Sequence, residues 1–121
     1  MKPLKLLAGA MALSLIASFG QMSAAQAQAA KPLTDAKGMT LYTFDKDAPG
    51  KSNCNGQCAV NWPPMMAAGA PPSADWTMVK RDDGAMQWAY KGKPLYGWIK
   101  DTKPGEMTGD GVGGSWHTAM P

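Results

Sequence analysis

The chain has few of the side chains from which catalytic and metal sites are usually built. Its 121 residues include one histidine, His117, and two cysteines, Cys54 and Cys58. A single histidine without a Cys-His or Ser-His pattern gives little support to a catalytic triad. No phosphate-binding loop and no nucleophile paired with a base are visible either. The sequence therefore predicts a protein that is not an enzyme, and a small hydrolase is the least favoured function.

The sequence also has no block of like charges and few long apolar runs. The 12 basic and 9 acidic residues are interspersed, so no basic block marks a surface for nucleic acid or an anionic membrane. Beyond the N-terminal segment, no apolar stretch approaches the roughly 20 residues of a membrane-spanning helix. No window has a sustained 3.6-residue apolar period, which disfavours a helical fold. We expect no nucleic-acid partner and no membrane anchor after signal cleavage.

The first 29 residues have the pattern of a secretory signal peptide. Lys2 and Lys5 precede an apolar run over residues 6–19, and residues 24–29 offer two A-x-A cleavage sites. An uncleaved N-terminal anchor is the alternative, and a lipid anchor would need a cysteine directly after the apolar run. Residues 30–121 are then a single exported domain with a net charge near +1, in the periplasm or outside the cell.

A stretch of ten residues that occurs twice organises this domain. Residues 38–47 and 92–101 share Gly, Leu, Tyr, a large aromatic residue and Asp in register, at an offset of 54 residues. The same offset relates Trp62 to Trp116. The domain is therefore predicted to consist of two related halves, about 32–66 and 76–121. The residues assigned to the repeat motif are Tyr42, Phe44, Asp47, Trp62, Tyr96, Trp98, Asp101 and Trp116.

Short strands joined by long Gly- and Pro-rich loops are predicted in both halves. Alternation and β-branched or aromatic residues favour strands over residues 31–34, 39–44, 76–80, 86–90, 94–99 and 116–119. A helical turn is expected over 57–62 before Pro63-Pro64, and residues 65–74 are expected to be the connector between the two halves. We predict an all-β domain, a small antiparallel sheet or sandwich of about seven strands, with pseudo-two-fold symmetry and the two repeated strands at its centre.

The two cysteines have a structural and a functional interpretation. In an oxidising compartment the only two thiols of a chain are expected to form a disulfide, and a spacing of four permits it if the segment turns helically. The alternative is a copper or redox site of Cys54, Cys58, His117 and a methionine, because soft ligands suit Cu(I). Otherwise His117 is expected to be a strand-end residue beside Trp116.

The repeated carboxylates and aromatic residues are expected to serve the fold. Asp47 and Asp101 are predicted to accept backbone N–H bonds and to shape the loop after each repeated strand. A calcium loop starting at Asp45 is the alternative, but its twelfth position is Gly56, where a glutamate is needed. Matched aromatic residues are predicted to be core residues. The unmatched Trp76 and Trp88 are better candidates for a ligand-binding surface.

Several motifs of the sequence are typical of a known family. They are Tyr42-x-Phe44-x-x-Asp47, Tyr96-x-Trp98-x-x-Asp101, Asn61-Trp62-Pro63-Pro64 and Gly113-Gly114-Ser115-Trp116-His117. The chain resembles the secreted repeat family of bacteria, whose members are often labelled predicted lipoproteins with a Tyr-x-(Phe/Trp/Tyr)-x-x-Asp motif. This resemblance implies a location outside the cytoplasm and no established activity. The chain departs from the lipoprotein members because it lacks their anchor cysteine.

Two functions follow from these observations. The leading hypothesis is an exported, non-catalytic module without a cofactor, which binds a partner protein or an envelope ligand or has a structural role. The alternative is a periplasmic thiol or copper-binding protein that uses Cys54, Cys58 and Met or His ligands. The ligand, the partner and the oligomeric state are not indicated by the sequence.

Overall fold

Two small antiparallel sheets contain most of the regular structure. The computed structural model describes residues 31–121, so the predicted signal peptide lies outside the described residues. One sheet pairs β1 (Tyr42–Phe44) with β5 (Trp116–Thr118), and the other has the order β2 (Trp76–Lys80), β3 (Met86–Tyr90), β4 (Lys93–Pro94). The all-β prediction is confirmed.

Helical structure is limited to two short segments at equivalent places in the two halves. The helix α1 covers Gln57–Asn61, and a 3-10 turn covers Val112–Gly114. The helix ends directly before Trp62, and one residue, Ser115, separates the 3-10 turn from Trp116. The helix confirms the predicted helical turn before Pro63. It is short because a helix cannot continue through two consecutive prolines. Among residues 31–121, no helix is long and apolar enough to cross a membrane.

The second half begins with the predicted hairpin. Arg81 donates its backbone N–H to the Ala85 carbonyl at 2.8 Å, and Gly84 accepts the left-handed conformation with φ of 89° that this turn requires. The register pairs Trp76 with Tyr90 and Lys80 with Met86. The strands β3 and β4 are joined by a turn of only two residues.

Four predicted strands are shorter than the sequence pattern indicated, and the last of them, 116–119, loses only Ala119. The segment 31–34 contributes only a bridge between Thr34 and Thr40, and the repeated strands 39–44 and 94–99 shrink to β1 and to β4. The reason is that each repeated segment changes partner along its length. Tyr96, for example, pairs with Tyr42 on one side and with Pro64 on the other. The described chain therefore has five strands instead of about seven.

The expected connector over residues 65–74 also takes part in the sheet pairing. Its first residues lie beside β3, where the Trp88 N–H donates to the Met65 carbonyl at 2.8 Å and the Ala67 N–H donates to the Met86 carbonyl at 2.9 Å. The segment has neither charge nor a periodic pattern, so its side chains did not reveal this pairing. Backbone hydrogen bonds, which any residue except proline can donate, hold it in place.

The pseudo-two-fold relation between the halves is visible in the backbone. The Tyr42 N–H donates to the Tyr96 carbonyl at 2.8 Å, and the Tyr96 N–H donates to the Tyr42 carbonyl at 3.0 Å. Equivalent bonds recur in pairs away from this axis: Ala119 N–H to Leu41 O with Met65 N–H to Leu95 O, and Asp45 N–H to Ser115 O with Ile99 N–H to Asn61 O. Each half therefore completes the sheet pairing of the other.

Two buried clusters form the core. The first surrounds the axis and contains Tyr42, Cys54, Trp62, Tyr96 and Trp116. The second lies under β3 and contains Leu41, Trp88, Leu95 and Ala119. Trp88 is only 5% exposed, so the expectation that it belongs to a ligand-binding surface is wrong. Trp88 is buried because its side chain lies on the face of β3 that contributes to the second cluster.

Candidate functional site

Four aromatic rings of the repeat motif form one continuous stack across the axis. Trp62 and Trp116 lie face to face in the middle, with ring centroids 3.8 Å apart and an interplanar angle of 2°. Phe44 stacks on Trp116 at 4.2 Å, and Trp98 stacks on Trp62 at 3.9 Å. Each outer ring therefore packs on the tryptophan of the other half. Such a stack buries a large apolar area and leaves little ring surface for a ligand.

The motif tyrosines and aspartates are also exchanged between the halves. The Tyr42 hydroxyl donates to Asp101 Oδ2 at 2.6 Å, and the Tyr96 hydroxyl donates to Asp47 Oδ2 at 2.7 Å. Both tyrosine side chains are fully buried. Burial first, and then the Asp101 hydrogen bond, raise the pKa of Tyr42 well above its ordinary value. Burial likewise raises the pKa of Tyr96.

Each aspartate also orders the loop that follows it. Asp47 accepts the Asn53 N–H at 2.7 Å. Asp101 accepts the N–H of Thr108 at 3.0 Å and its hydroxyl at 2.6 Å. Burial raises the pKa of Asp47, although the hydrogen bonds from Asn53 and Tyr96 act in the opposite direction. Both carboxylates therefore accept hydrogen bonds from the protein itself, as expected for residues with a structural role.

A buried arginine links the two halves and was not singled out in the sequence. Arg81 is 5% exposed and donates from Nη1 to Gln87 Oε1 at 2.8 Å and to Ser52 Oγ at 3.0 Å. Its Nη2 donates to the Cys54 carbonyl at 2.6 Å. A buried charge requires such hydrogen bonds. Arg81 was hidden in the sequence because it stands at the start of an ordinary hairpin turn.

Cys54 and Cys58 form the predicted disulfide, with their Cα atoms 5.2 Å apart. Cys54 is fully buried in the first core cluster, and Cys58 packs against that cluster. The bond closes the start of α1, the segment that positions Trp62. Both sulfur atoms are engaged in the disulfide, so copper binding by this pair would require its reduction first.

His117 lies on the surface, next in the chain to the buried Trp116. Its Nε2 is 2.9 Å from Asp45 Oδ2, and both side chains are about half exposed. In residues 31–121, no three His, Cys, Asp or Glu side chains are grouped closely enough to hold a metal ion. The structure therefore brings His117 together with a carboxylate that was considered only as the start of a calcium loop.

Four charged side chains line a cleft of about 320 Å³, which we call the polar cleft. It lies between the loop after β1 and the turn from β3 to β4. Its lining consists of Thr43, Phe44, Asp45, Asp47, Ala48, Pro49, Lys91, Gly92, Lys93 and Pro94. A neighbouring hollow of about 240 Å³ shares Thr43, Asp45 and Lys93 with it and reaches His117.

A second cleft of about 250 Å³ contains five of the ten equivalent positions of the other half: Met39, Thr40, Gly97, Trp98 and Asp101. We call it the apolar cleft, and it is lined by Asp35, Met39, Thr40, Leu41, Pro63, Pro64, Met65, Gly97, Trp98 and Asp101. Met39 stands where the polar cleft has Lys93, and Pro63 stands where the neighbouring hollow has His117. Its two carboxylates are used internally, since Asp35 accepts two backbone N–H bonds and Asp101 binds Tyr42.

The walls of the polar cleft are held in place by backbone contacts. The Gly50 N–H donates to the Gly92 carbonyl at 2.9 Å and thereby ties the loop after β1 to the turn before β4. Within residues 31–121, neither Lys91 nor Lys93 has a carboxylate within ion-pair distance. Asp45, in contrast, is paired with His117. The two ammonium groups of the cleft are therefore without an ion-pair partner among the described residues.

Comparison with known proteins places the repeat in a family. One family profile, described as a secreted repeat of unknown function, matches residues 24–66 and residues 77–120. Each matched segment contains one copy of the Tyr-x-aromatic-x-x-Asp motif. No curated protein and no solved structure matches the chain. Since the two matched segments cover most of the chain, this exported protein belongs to the family of secreted repeats of unknown function.

Proposed function

We propose that this protein is a non-catalytic binding module of the periplasm or cell exterior, and that a ligand or partner of the envelope occupies the polar cleft. The observation that carries the proposal is that the repeated residues form the core, whereas other residues line the polar cleft. The duplicated side chains, such as Tyr42, Tyr96 and Trp62, are buried in the core. Two lysines and two aspartates line the polar cleft, whereas the apolar cleft is lined by no lysine and by two aspartates that are bonded internally.

The cleft has the features of a preformed binding site. It is concave, it combines apolar surface from Phe44 and Pro94 with a few charged groups, and its walls are tied together. Sites of this kind bind small ligands or chain segments with little loss of conformational entropy. No side chain at the cleft has the nucleophile and base arrangement that a reaction would need.

Amide chemical shifts of the exported form, residues 30–121, test this proposal. Soluble fragments of bacterial envelope are added to the ¹⁵N-labelled protein, and the shifted amides are mapped. We expect shifts at residues 43–49 and 91–94, and recovery of the bound fragment with unchanged mass. Shifts confined to the apolar cleft, or a fragment of altered mass, would contradict the proposal.

A matched pair of variants locates the binding. Lys93→Met introduces the residue that occupies the equivalent position of the apolar cleft, and we expect it to abolish the shifts. Lys103→Met removes an exposed lysine that does not line the cleft, and it is expected to leave the shifts unchanged. Equal effects of the two variants would indicate a general charge effect and not a site.

A further inference from the structure

We infer that the polar cleft recognises a carboxylate of an acidic peptide segment, and that Lys91 and Lys93 bind it. This inference rests on the proposed function, because it assigns a ligand class to the same cleft. The starting observation is the backbone of Lys91, whose φ is 50°. Among the described residues, it is the one residue other than glycine with a positive φ.

The positive φ follows from the tight turn between β3 and β4. Lys91 and Gly92 are the two central residues of this hairpin, which pairs Tyr90 with Lys93. Two-residue hairpin turns with positive φ at both central positions favour Asn, Asp or Gly at the first of them. A lysine there is strained, because its Cβ crowds the following carbonyl. Strain of this kind is concentrated at functional sites.

The other half shows that the strain is not a property of the repeat. Lys37 occupies the equivalent position and also precedes a glycine, Gly38. Its φ is not positive, because the first half uses a longer turn in which Asp35 accepts the N–H groups of Lys37 at 2.8 Å and Met39 at 3.0 Å. Lys37 does not line the apolar cleft. The strained lysine is thus the one that faces a cleft.

The structure offers Lys91 only a weak internal partner. Its Nζ lies 5.3 Å from the centroid of the Tyr90 ring, a contact that contributes little at an exposed site. Lys93 lies on the adjacent strand and lines the same cleft. Two unpaired ammonium groups on one wall are suited to an anionic oxygen ligand.

The opposite wall decides between a carboxylate and a phosphate. Asp45 and Asp47 line it, so the formal charges of the four side chains cancel. A phosphate dianion gains little from such a cleft. A peptide can place one carboxylate at the lysines and direct its backbone N–H groups toward the acidic wall. Phe44, Pro49 and Pro94 supply apolar surface for the remainder of the segment.

The test uses two peptides and inorganic phosphate as probes of residues 30–121. N-acetyl-Ala-Glu-Ala-amide is expected to shift the amides of residues 43–49 and 91–93. N-acetyl-Ala-Gln-Ala-amide, which is isosteric and neutral, is expected to bind at least about tenfold more weakly, as for the loss of one charge-assisted contact. Equal binding of the two peptides, or phosphate binding that is tighter than that of the acidic peptide, would overturn the inference.

Lys91→Asn separates binding from folding. Asparagine tolerates the left-handed conformation, so we expect an unchanged Tm or one raised by up to about 5 °C, together with a loss of affinity for the acidic peptide of at least about fivefold. Lys37→Asn is the matched control, in which the affinity should not change. Unchanged peptide affinity in Lys91→Asn would overturn the role of Lys91.

The failure of this inference is distinguishable from failure of the proposed function. If envelope fragments shift the amides of the cleft and the acidic peptide does not, the ligand class is wrong and the binding module stands. If the fragments shift nothing in the cleft while the peptide binds, the carboxylate site stands and the envelope ligand is wrong.

Discussion

The two halves of this domain share their buried contacts and differ in what they present to solvent. Tyr42 and Tyr96 reach the aspartate of the opposite half in the same way, and the ring stack is symmetric about the axis. On the surface, Met39 occupies the position equivalent to Lys93, and Ile99 occupies the position equivalent to Asp45. Residues that both halves need to bury each other have stayed alike, whereas surface residues are free to differ because each contacts only its own cleft.

The loops after the motif differ for a related reason. In the first half, the disulfide between Cys54 and Cys58 closes the segment before Trp62. At the same offset, the second half has Thr108 and Val112. There Asp101 binds Thr108 through two hydrogen bonds, as Asp47 binds the Asn53 N–H in the first half, but the second half has no cysteines to close its loop covalently.

The largest expected effect tests the symmetry of the ring stack. Trp62→Ala and Trp116→Ala each remove a buried inner ring and should each lower the free energy of unfolding by about 3–5 kcal/mol. Because both rings stack on two neighbours, the two losses should agree within about 1 kcal/mol. Urea unfolding followed by circular dichroism measures both. A loss near zero for either variant would contradict a shared core.

Removing the disulfide tests the difference between the loops. Cys54→Ala combined with Cys58→Ala opens a loop of five residues, and the chain-entropy relation gives a loss of about 2 kcal/mol. The measurement is the urea midpoint of the double variant against the oxidised protein. The matched control is the unmodified protein under reducing conditions, which should approach the double variant. Identical midpoints for all three would show that the disulfide does not stabilise this loop.

Phenylalanine substitutions compare the two exchanged hydrogen bonds. Tyr42→Phe removes the donor to a buried carboxylate and leaves the buried Gly109 N–H, which donates to the Tyr42 hydroxyl at 3.1 Å, without that acceptor. We expect a loss of about 2 kcal/mol. Tyr96→Phe should cost about 1 kcal/mol, because Asp47 is partly exposed and because Ser52 Oγ, which loses the Tyr96 hydroxyl, keeps the donor Arg81 Nη1. Chemical denaturation at pH 7 gives both values.

The reverse order of these two losses would contradict the assignment of the more buried carboxylate to Asp101. Tyr90→Phe is the control. Tyr90 is partly exposed, and its hydroxyl makes no hydrogen bond to another residue in the described part of the chain, so its loss should be near zero.

The smallest effect is the dependence of stability on alkaline pH. The pKa of both motif tyrosines is raised above the ordinary value of 10.0. Above pH 10 the unfolded chain loses these protons while the folded chain retains them, so stability falls as pH rises. Urea midpoints between pH 8 and 11 should fall less steeply in Tyr42→Phe and in Tyr96→Phe than in the unmodified protein. Parallel slopes for all three proteins would be inconsistent with buried, neutral tyrosines.

Local patterns allowed several elements to be predicted from the sequence. The hairpin of β2 and β3 combines alternating strands with an Asp-Gly turn, and α1 ends at two prolines. These signals lie within a few residues of each other, so they do not depend on the remainder of the fold. The strands 39–44 and 94–99 were predicted too long because their partners change at Tyr42 and at Tyr96, which is a non-local property.

The candidate site was less predictable than the fold. Lys91 and Lys93 were assigned only to a turn, and Arg81 only to a hairpin, because a lysine or arginine in a turn is ordinary. The one available signal was the lysine before Gly92 in a two-residue turn, where asparagine is expected. Recognising it requires knowing that the turn has two residues, and the equivalent Lys37 shows that the same dipeptide also occurs in a longer turn.

The sequence by itself determined that the domain consists of two related halves and that it is built from β-strands, and it favoured a disulfide between the two cysteines. The sequence shows these features directly, because repeated residues, local alternation and cysteine spacing do not depend on which distant segments meet. Only the tertiary structure decided that each tyrosine binds the aspartate of the opposite half, and that one cleft is charged while its equivalent is apolar. These features depend on which distant segments meet, and the pseudo-two-fold packing of the halves sets that through contacts between residues far apart in the chain.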